Sequence, residues 1–456
     1  LSFDRPLWPF VATLAVVLLL AAFATTGFRQ VFVKEVLGGA YDSQAEHFLR
    51  GDIDVDGDAI RHEAIIVNGK SRMYFGPFPA LLRIPLNFVY PAGRGVWSRV
   101  SGLCAGIIAL SSFAALLADA LEASCLSPRS RRWFGSACVV GLAFGSPLLL
   151  LLGNLSIYNE AIIWGFAWSL AALYFMHRAR STIDSKATWW LIGFSLSAGA
   201  ALLSRVTLGL PFLLIAPALL LRSPAKDRLQ SLAAVALPLG AALTFYLLLS
   251  YARFGTWSGT SYEHYINPVH REFAKNYGVF TLNRVPYGFI DYFSLRFPRF
   301  QSNPPFLLAE RPPVPNSALY SLPVSETYVS VVWCSSWLLV GSIIGVGYLF
   351  QPERADFFKR WTAAALFVEC LIIVSHFSLA ERYATELYPF LIFCFLVFLS
   401  AGTTAPVRLR YLIGVLVVCS IAINSMTTIS WLIGADQNVP AETRDAWKAF
   451  IGASNG

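Results

Sequence analysis

Two groups of acidic residues in the first polar stretch of this chain have the types and spacing to do chemistry. The first is Asp42, in the run Gly38-Gly39-Ala40-Tyr41-Asp42-Ser43-Gln44-Ala45-Glu46-His47-Phe48-Leu49. Ala45, Phe48 and Leu49 fall on one face of a short helix that starts near Tyr41, so Asp42 sits at or near its first turn. A carboxylate there can act as a general base toward an acceptor hydroxyl, or it can cap the helix and meet its dipole. The second group is Asp52-Ile53-Asp54-Val55-Asp56-Gly57-Asp58 with Glu63 following, which fits the calcium-loop pattern D-x-D-x-D-G-x5-E. Asp52, Asp54, Asp56 and Glu63 would offer a divalent cation (Ca2+) the oxygen ligands it prefers, with Gly57 permitting the sharp turn. Ala59 departs from the usual aliphatic position of such loops, and proline-rich sequence follows in place of a clean helix. An acidic solvated turn and a set of carboxylates for sugar hydroxyls are the other readings.

Cationic and further ionisable residues stand at or inside apolar runs. Arg205 interrupts Leu203-Ser204-Arg205-Val206-Thr207, Arg382 lies in Glu381-Arg382-Tyr383 with Glu386 nearby, Glu369 lies mid-run and His376 near a run's end. Such groups are costly at membrane depth and are functional candidates by default, with an internal ion pair as the alternative. A later polar stretch opens Tyr251-Ala252-Arg253-Phe254-Gly255-Thr256 and carries His264, His270, Arg271, Arg284, Arg296, Arg299 and Arg311. Rings stack on sugars and guanidinium forks bind anions, although both also anchor a chain at the headgroup layer.

The elements that must position these residues are membrane spans. The chain has 456 residues, 56% of them hydrophobic and only 14% charged, where soluble domains carry roughly 25%. About eleven apolar runs are long enough to cross a bilayer core of ~30 Å. They fall near 7–27, 97–120, 133–153, 157–177, 189–203, 206–221, 229–250, 327–350, 361–378, 387–402 and 411–433. Ala22-Phe23-Ala24 resembles a signal-peptide cleavage site, but the apolar run is longer than a usual signal core and has only Arg5 as its basic flank, so it reads as a span. Alternate short loops hold Arg129/Arg131/Arg132, Arg178/Arg180/Lys186, Arg222/Lys226/Arg228, Arg354/Lys359/Arg360 and Arg408/Arg410. By the positive-inside rule these are cytoplasmic, as is the N-terminus. The net charge of +8 is thereby accounted for, and nucleic acid is not an expected partner.

The expected architecture is an all-α polytopic membrane protein, a single membrane-embedded domain over 1–456. It has two large outer loops, 28–96 and 251–326, and an outer tail, 434–456. Within the first loop Asn68-Gly69 signals a hairpin turn. The proline-broken run Tyr74 to Pro85 reads as a helix lying in the interface, with Arg83 snorkelling to the headgroups. None of the seven cysteines lies in the large loops, so no disulfide framework is expected.

With these features in hand, the chain resembles the GT-C superfamily of membrane glycosyltransferases, most closely bacterial members related to protein mannosyltransferases and aminoarabinose transferases. The resemblance rests on Tyr41-Asp42 after the first span, the amphipathic return from Tyr74 to Pro85, Ser204-Arg205-Val206-Thr207 after a middle span, and Arg382-Tyr383 running to Pro389 at a late span. Arg253-Phe254-Gly255 is similar to a run in uncharacterised members. Some relatives carry a paired Asp-Glu where this chain has Tyr41-Asp42, which leaves the base open among Asp42, Asp54 and Glu63.

The resemblance implies transfer of a sugar from a polyprenyl-phosphate donor to a glycan, lipid or protein acceptor outside the cytoplasm. The enzyme would sit in the inner (plasma) membrane of a bacterium, surrounded by membrane lipids, and invert the anomeric centre. It implies that Arg205, Arg382 and Lys70 meet the donor phosphate and that Tyr41, Tyr74 and Glu381 lie beside substrate. A ligase or polymerase acting on diphosphate-linked glycans, and a polyprenyl-lipid flippase or transporter, are the competing classes.

Overall fold

The eleven expected spans each have a helical counterpart in the computed structural model, which describes residues 7–182, 186–221, 228–259, 262–303, 306–308, 329–401, 407–434 and 438–452. Arg5, Arg222, Lys226 and Arg311 lie outside the described residues. The chain opens with α1 (Trp8–Ala24). The first long loop then holds α2 (Ala40–Leu49), α3 (Gly57–Ile60), the hairpin of β1 (Ile65–Val67) and β2 (Lys70–Arg72), and α4 (Phe78–Val89). Next come α5 (Ser98–Glu122), α6 (Pro128–Phe144), α7 (Leu148–Gly153), α8 (Ile157–Ser181), α9 (Lys186–Ser204), α10 (Val206–Leu221) and α11 (Arg228–Phe254). The second long loop contributes α12 (Pro268–Tyr277), α13 (Val285–Tyr292) and the short pair β3 (Arg299–Phe300) and β4 (Leu307–Leu308). The last part runs through α14 (Val331–Cys334), α15 (Ser336–Leu349), α16 (Phe357–Val374), α17 (Tyr388–Ser400), α18 (Val407–Gly434) and α19 (Ala441–Ile451).

By length and composition, α5, α9, α11, α18 and the continuous run Glu381–Ser400 can cross a membrane, and α1, α4, α10 and α15 are shorter apolar helices. The expected span at 133–153 is split into α6 and α7 around Gly145-Ser146-Pro147, where proline cannot continue the helix. The helices pack as a bundle in which α8 lies against α5 and α9, α9 against α11, α10 against α16, and α15 against α17. One large apolar core runs through them, built from Leu, Ile, Ala and Phe side chains such as Leu110, Phe113, Phe166, Phe194 and Phe212.

Both long loops meet at one end of this bundle. The amide of Ile266 donates to the carbonyl of Ala64 at 3.0 Å, and Tyr265 bridges to Ile65 of β1. The final helix α19 packs at the same end, with Phe23 against Trp447 at 4.8 Å and Arg99 donating to Thr443 at 2.7 Å. Local signals read from sequence set the hairpin: Asn68 and Gly69 both have positive φ (53° and 75°), the conformation a two-residue primed turn requires.

The interfacial reading of Arg83 is corrected by the fold. Helix α4 packs on α2 and turns Arg83 inward, where it is 0% exposed and paired with acidic residues. A snorkelling guanidinium needs a path to water; this one has found two carboxylates.

Candidate active site

The site is built where the α9–α10 chain breaks at Arg205. The tight approach of the first loop to this break depends on Gly76, since a Cβ there would lie 2.3 Å from the carbonyl oxygens of both Leu203 and Ser204. Arg205 is fixed from the other side by Glu386, which accepts from Nε and Nη2, each at 2.8 Å, and also from the Thr207 hydroxyl. The Arg205 guanidinium lies 5.3 Å from the centre of the Tyr383 ring. Arg382 lies 5.2 Å from that ring and 4.8 Å from the Tyr158 ring. Two of the three cations expected from sequence to meet phosphate are therefore brought together around Tyr383.

A cavity of about 330 Å³ opens beside Arg205 and is also lined by Gly76, Tyr246, Arg253, Tyr262 and His376. No carboxylate is among its described lining residues. Arg253, in the last turn of α11, is 3% exposed, and its Nη1 donates to the Phe75 carbonyl at 3.3 Å. Its Nε and Nη2 have no hydrogen-bond partner among the described residues. A buried guanidinium with two idle donors is costly in a protein interior. A planar fork of this kind suits a phosphate or carboxylate oxygen pair. Sequence reading noted Arg253 but gave it no separate role, because burial and lack of partners are invisible in one dimension.

The roof of this region is the second long loop, latched by Glu63. Tyr74 and Tyr265 donate to one oxygen of Glu63 at 2.7 and 2.6 Å, and Tyr158 donates to the other at 2.5 Å. One carboxylate thus ties together the first loop, the start of α8 and the second loop. Burial, and then the Glu63 charge, pushes the Tyr74 and Tyr265 phenols up, so they stay protonated donors. Farther along, Arg284 donates to the carbonyls of Tyr277, Gly278 and Val279 at 3.0, 2.9 and 2.9 Å, and the Thr281 amide to that of Ser375 at 3.1 Å.

Asp42 sits in a second buried network next door. It is 4% exposed and does not line the cavity. Asn87 donates to its Oδ1 at 2.8 Å, Trp97 donates to Asn87 at 2.9 Å, and Arg83 Nε stands 3.6 Å from Oδ2, which accepts no hydrogen bond among the described residues. Arg83 reaches on to Glu160 at 2.5 Å, which also accepts from Ser101 at 2.6 Å. Burial pushes the Asp42 carboxyl above its ordinary value, against the opposing pull of Arg83 and Asn87. Tyr41 is buried in an apolar cluster with Phe75 and Ala161, and both of those also line the cavity.

Glu160 was missed in the sequence; its signal was an ionisable residue inside an apolar span, in Tyr158-Asn159-Glu160. Replacing Arg83 by alanine is expected to cost about 3–5 kcal/mol of stability, because Glu160 would be left buried without its cation. Denaturant unfolding of the purified variant measures this.

The remaining sequence candidates go elsewhere. Asp54 is held by Lys70 at 2.7 Å and Arg72 at 3.2 Å, which places Lys70 on the exposed face of the hairpin and outside the cavity lining. Asp52 and Asp56 face the two nitrogens of His47 at 3.0 and 3.4 Å. The His47 hydrogen bond lowers the Asp52 carboxyl to about 2, and the Ser43 hydroxyl holds Asp56 below its usual range. Glu381 is buried and accepts the Val329 amide at 2.8 Å.

The four carboxylates of the calcium-loop pattern thus go to three different sets of partners. Among the described residues no cluster of metal ligands forms. The carboxylates are instead taken up by His47, by Lys70 and Arg72, and by three tyrosines. Addition of a chelator is expected to leave the melting temperature unchanged; a drop of several degrees that Asp54→Ala abolishes would reinstate the cation.

Compared with known proteins, the chain matches no family model and no curated protein. Among solved structures it is similar to ArnT from Cupriavidus metallidurans bound to undecaprenyl phosphate, at 15% identity and a TM-score of 0.41, over 85% of this chain and 59% of that one. The apo state of the same ArnT gives 14% identity and a TM-score of 0.40, over 85% and 59%. It is also similar to the archaeal oligosaccharyltransferase AglB from Archaeoglobus fulgidus, in complex with an inhibitory peptide and a dolichol-phosphate, at 13% identity and a TM-score of 0.47, over 94% and 56%. The chain spans less than two thirds of the length of each of these structures.

Proposed function

We propose that this chain is an integral-membrane glycosyltransferase of the GT-C type, which moves a sugar from a polyprenyl-phosphate carrier to an acceptor on the outer face of the inner membrane. The observation that carries this reading is Arg253, a buried guanidinium whose Nε and Nη2 have no hydrogen-bond partner among the described residues, in the lining of a cavity beside Arg205 whose described lining holds no carboxylate. Such a cavity selects an anion, and its place where α11 enters a long loop suits an anion carried on a membrane lipid.

In the proposed step the acceptor oxygen attacks the anomeric carbon as the bond from that carbon to the phosphate oxygen breaks. The bonding pair leaves with the polyprenyl phosphate. Arg253 and Arg205 stabilise the charge that grows on the phosphate oxygens, with Arg382 adding positive potential from across Tyr383. A phosphate leaves readily, so no separate general acid is needed. The acceptor proton goes to a carboxylate, and attack from the face opposite the phosphate inverts the centre. Of the three carboxylates open from sequence, Asp54 is occupied by Lys70 and Arg72, and Glu63 by three tyrosines. Asp42 keeps an oxygen that, among the described residues, accepts no hydrogen bond and stands 3.6 Å from Arg83 Nε, and we assign it the base. Tyr41 and Phe75 form the wall that must give way for an acceptor hydroxyl to reach it.

The test is turnover by the purified chain offered a panel of polyprenyl-phosphate sugars, with mass-spectrometric detection of freed polyprenyl phosphate. Release from one donor establishes the reaction and names the sugar. Silence across the panel together with turnover of a diphosphate-linked donor would move the assignment to a glycan ligase.

A further inference from the structure

Arg253 is held by a second arginine, and that arginine by an aspartate. Helix α11 ends at Phe254, with Gly255 at φ +70° closing its last turn, so the carbonyls of Ala252 and Arg253 have no partner within the helix. Arg72 supplies one: its Nη1 donates to the Ala252 carbonyl at 2.8 Å and to the Arg253 carbonyl at 2.5 Å. The Nε of the same guanidinium is fixed by Asp54 Oδ1 at 3.2 Å. Strand alternation puts Lys70 and Arg72 on one face of β2, and both reach Asp54, Lys70 at 2.7 Å to the other oxygen. Asp54 is itself set in place by its amide donating to Asp52 at 3.2 Å and by the neighbouring Val55 amide donating to the Ser71 carbonyl at 2.9 Å.

We propose that Asp54 and Arg72 are a positioning pair for the carrier-phosphate site, fixing the backbone of Arg253, a residue of the cavity lining whose Nε and Nη2 have no hydrogen-bond partner among the described residues. The inference rests on the reading of that cavity as a lipid-phosphate site. Asp54 does two things in this arrangement. It orients the Arg72 fork toward the helix end, and its charge balances Arg72, which would otherwise stand as an uncompensated like charge beside Arg253. Neither residue touches the phosphate; both act through the last turn of α11. The pair also links the first long loop to the start of the second, so the hairpin and the phosphate site move together.

The experiment titrates the full-length chain in detergent micelles with polyprenyl phosphate, reads the bound fraction by native mass spectrometry, and records the melting temperature of each variant alongside. Asp54→Asn and Arg72→Lys are each expected to raise the Kd roughly tenfold, the loss of one well-aligned charge-assisted contact. Asp54→Glu is expected to restore binding to within about threefold, since it keeps the charge. Arg72→Lys keeps the charge balance and loses only the fork, so it tests the geometry even where Asp54→Asn folds poorly. A merely structural pair would lower the melting temperature and leave the Kd of the folded protein unmoved. Wild-type Kd in both Asp54→Asn and Arg72→Lys, with a raised Kd in Arg253→Met, overturns the positioning role and leaves the phosphate site standing. Absence of any binding by the wild-type chain overturns the phosphate site and the positioning role together.

Discussion

Arg253→Met is expected to weaken binding of polyprenyl phosphate by about 10–100-fold while leaving the ligand-free protein at least as stable as the wild type. The two halves of this result have one cause. In the free protein Arg253 is a buried charge whose Nε and Nη2 have no hydrogen-bond partner among the described residues, and a methionine of similar length removes that desolvation cost while still filling the space. With the phosphate in place the same two donors become charge-assisted hydrogen bonds in a low-dielectric site, where they count for most. Residues retained at a cost to stability are the mark of a functional site. A lower melting temperature with unchanged binding would instead make Arg253 a structural residue. Isothermal titration and a thermal melt on one preparation separate these outcomes.

Asp42→Asn is expected to lower kcat by about 10²–10⁴-fold with little change in the Kd for donor, because a general base acts on the acceptor proton and not on the carrier phosphate. The pH profile carries a second signature. Burial raises the Asp42 carboxyl above the ordinary aspartate value, so the base is protonated and idle at acid pH. The rate then rises with pH through that elevated value. The linked stability effect has the opposite sense, since a raised carboxyl favours the folded state at low pH and loses that contribution as pH rises through its folded value. An acid limb displaced upward in the wild type and absent from the residual activity of Asp42→Asn fits a base at this position. Wild-type kcat in Asp42→Asn would remove Asp42 from the chemistry and turn attention to Glu160, the other end of the Arg83 bridge.

What was legible in the sequence was what is local. Apolar length fixed the spans, because a run of about 20 such residues is a property of one segment. Asn68-Gly69 gave its turn for the same reason. Arg205 and Arg382 stood out as cations set against apolar runs, and the fold places both beside Tyr383. What the sequence did not show is a matter of partners. Arg83 was read as snorkelling because its partner Glu160 lies 77 positions away on another helix. The acidic run Asp52 to Glu63 matched a cation loop in spacing, and its carboxylates have His47, Ser43, Lys70, Arg72 and three tyrosines as partners, all from outside the run. Arg253 was named in the sequence, but its idle donors are a property of burial that only the packed helices create.

The most direct test of the central claim is a structure of the chain with polyprenyl phosphate bound. The phosphate is expected in the cavity between α10 and α11, within hydrogen-bond distance of Arg253 Nε and Nη2 and beside Arg205. A phosphate resting on Lys70 or elsewhere on the outer surface, with the Arg253 nitrogens still unpartnered, would contradict it.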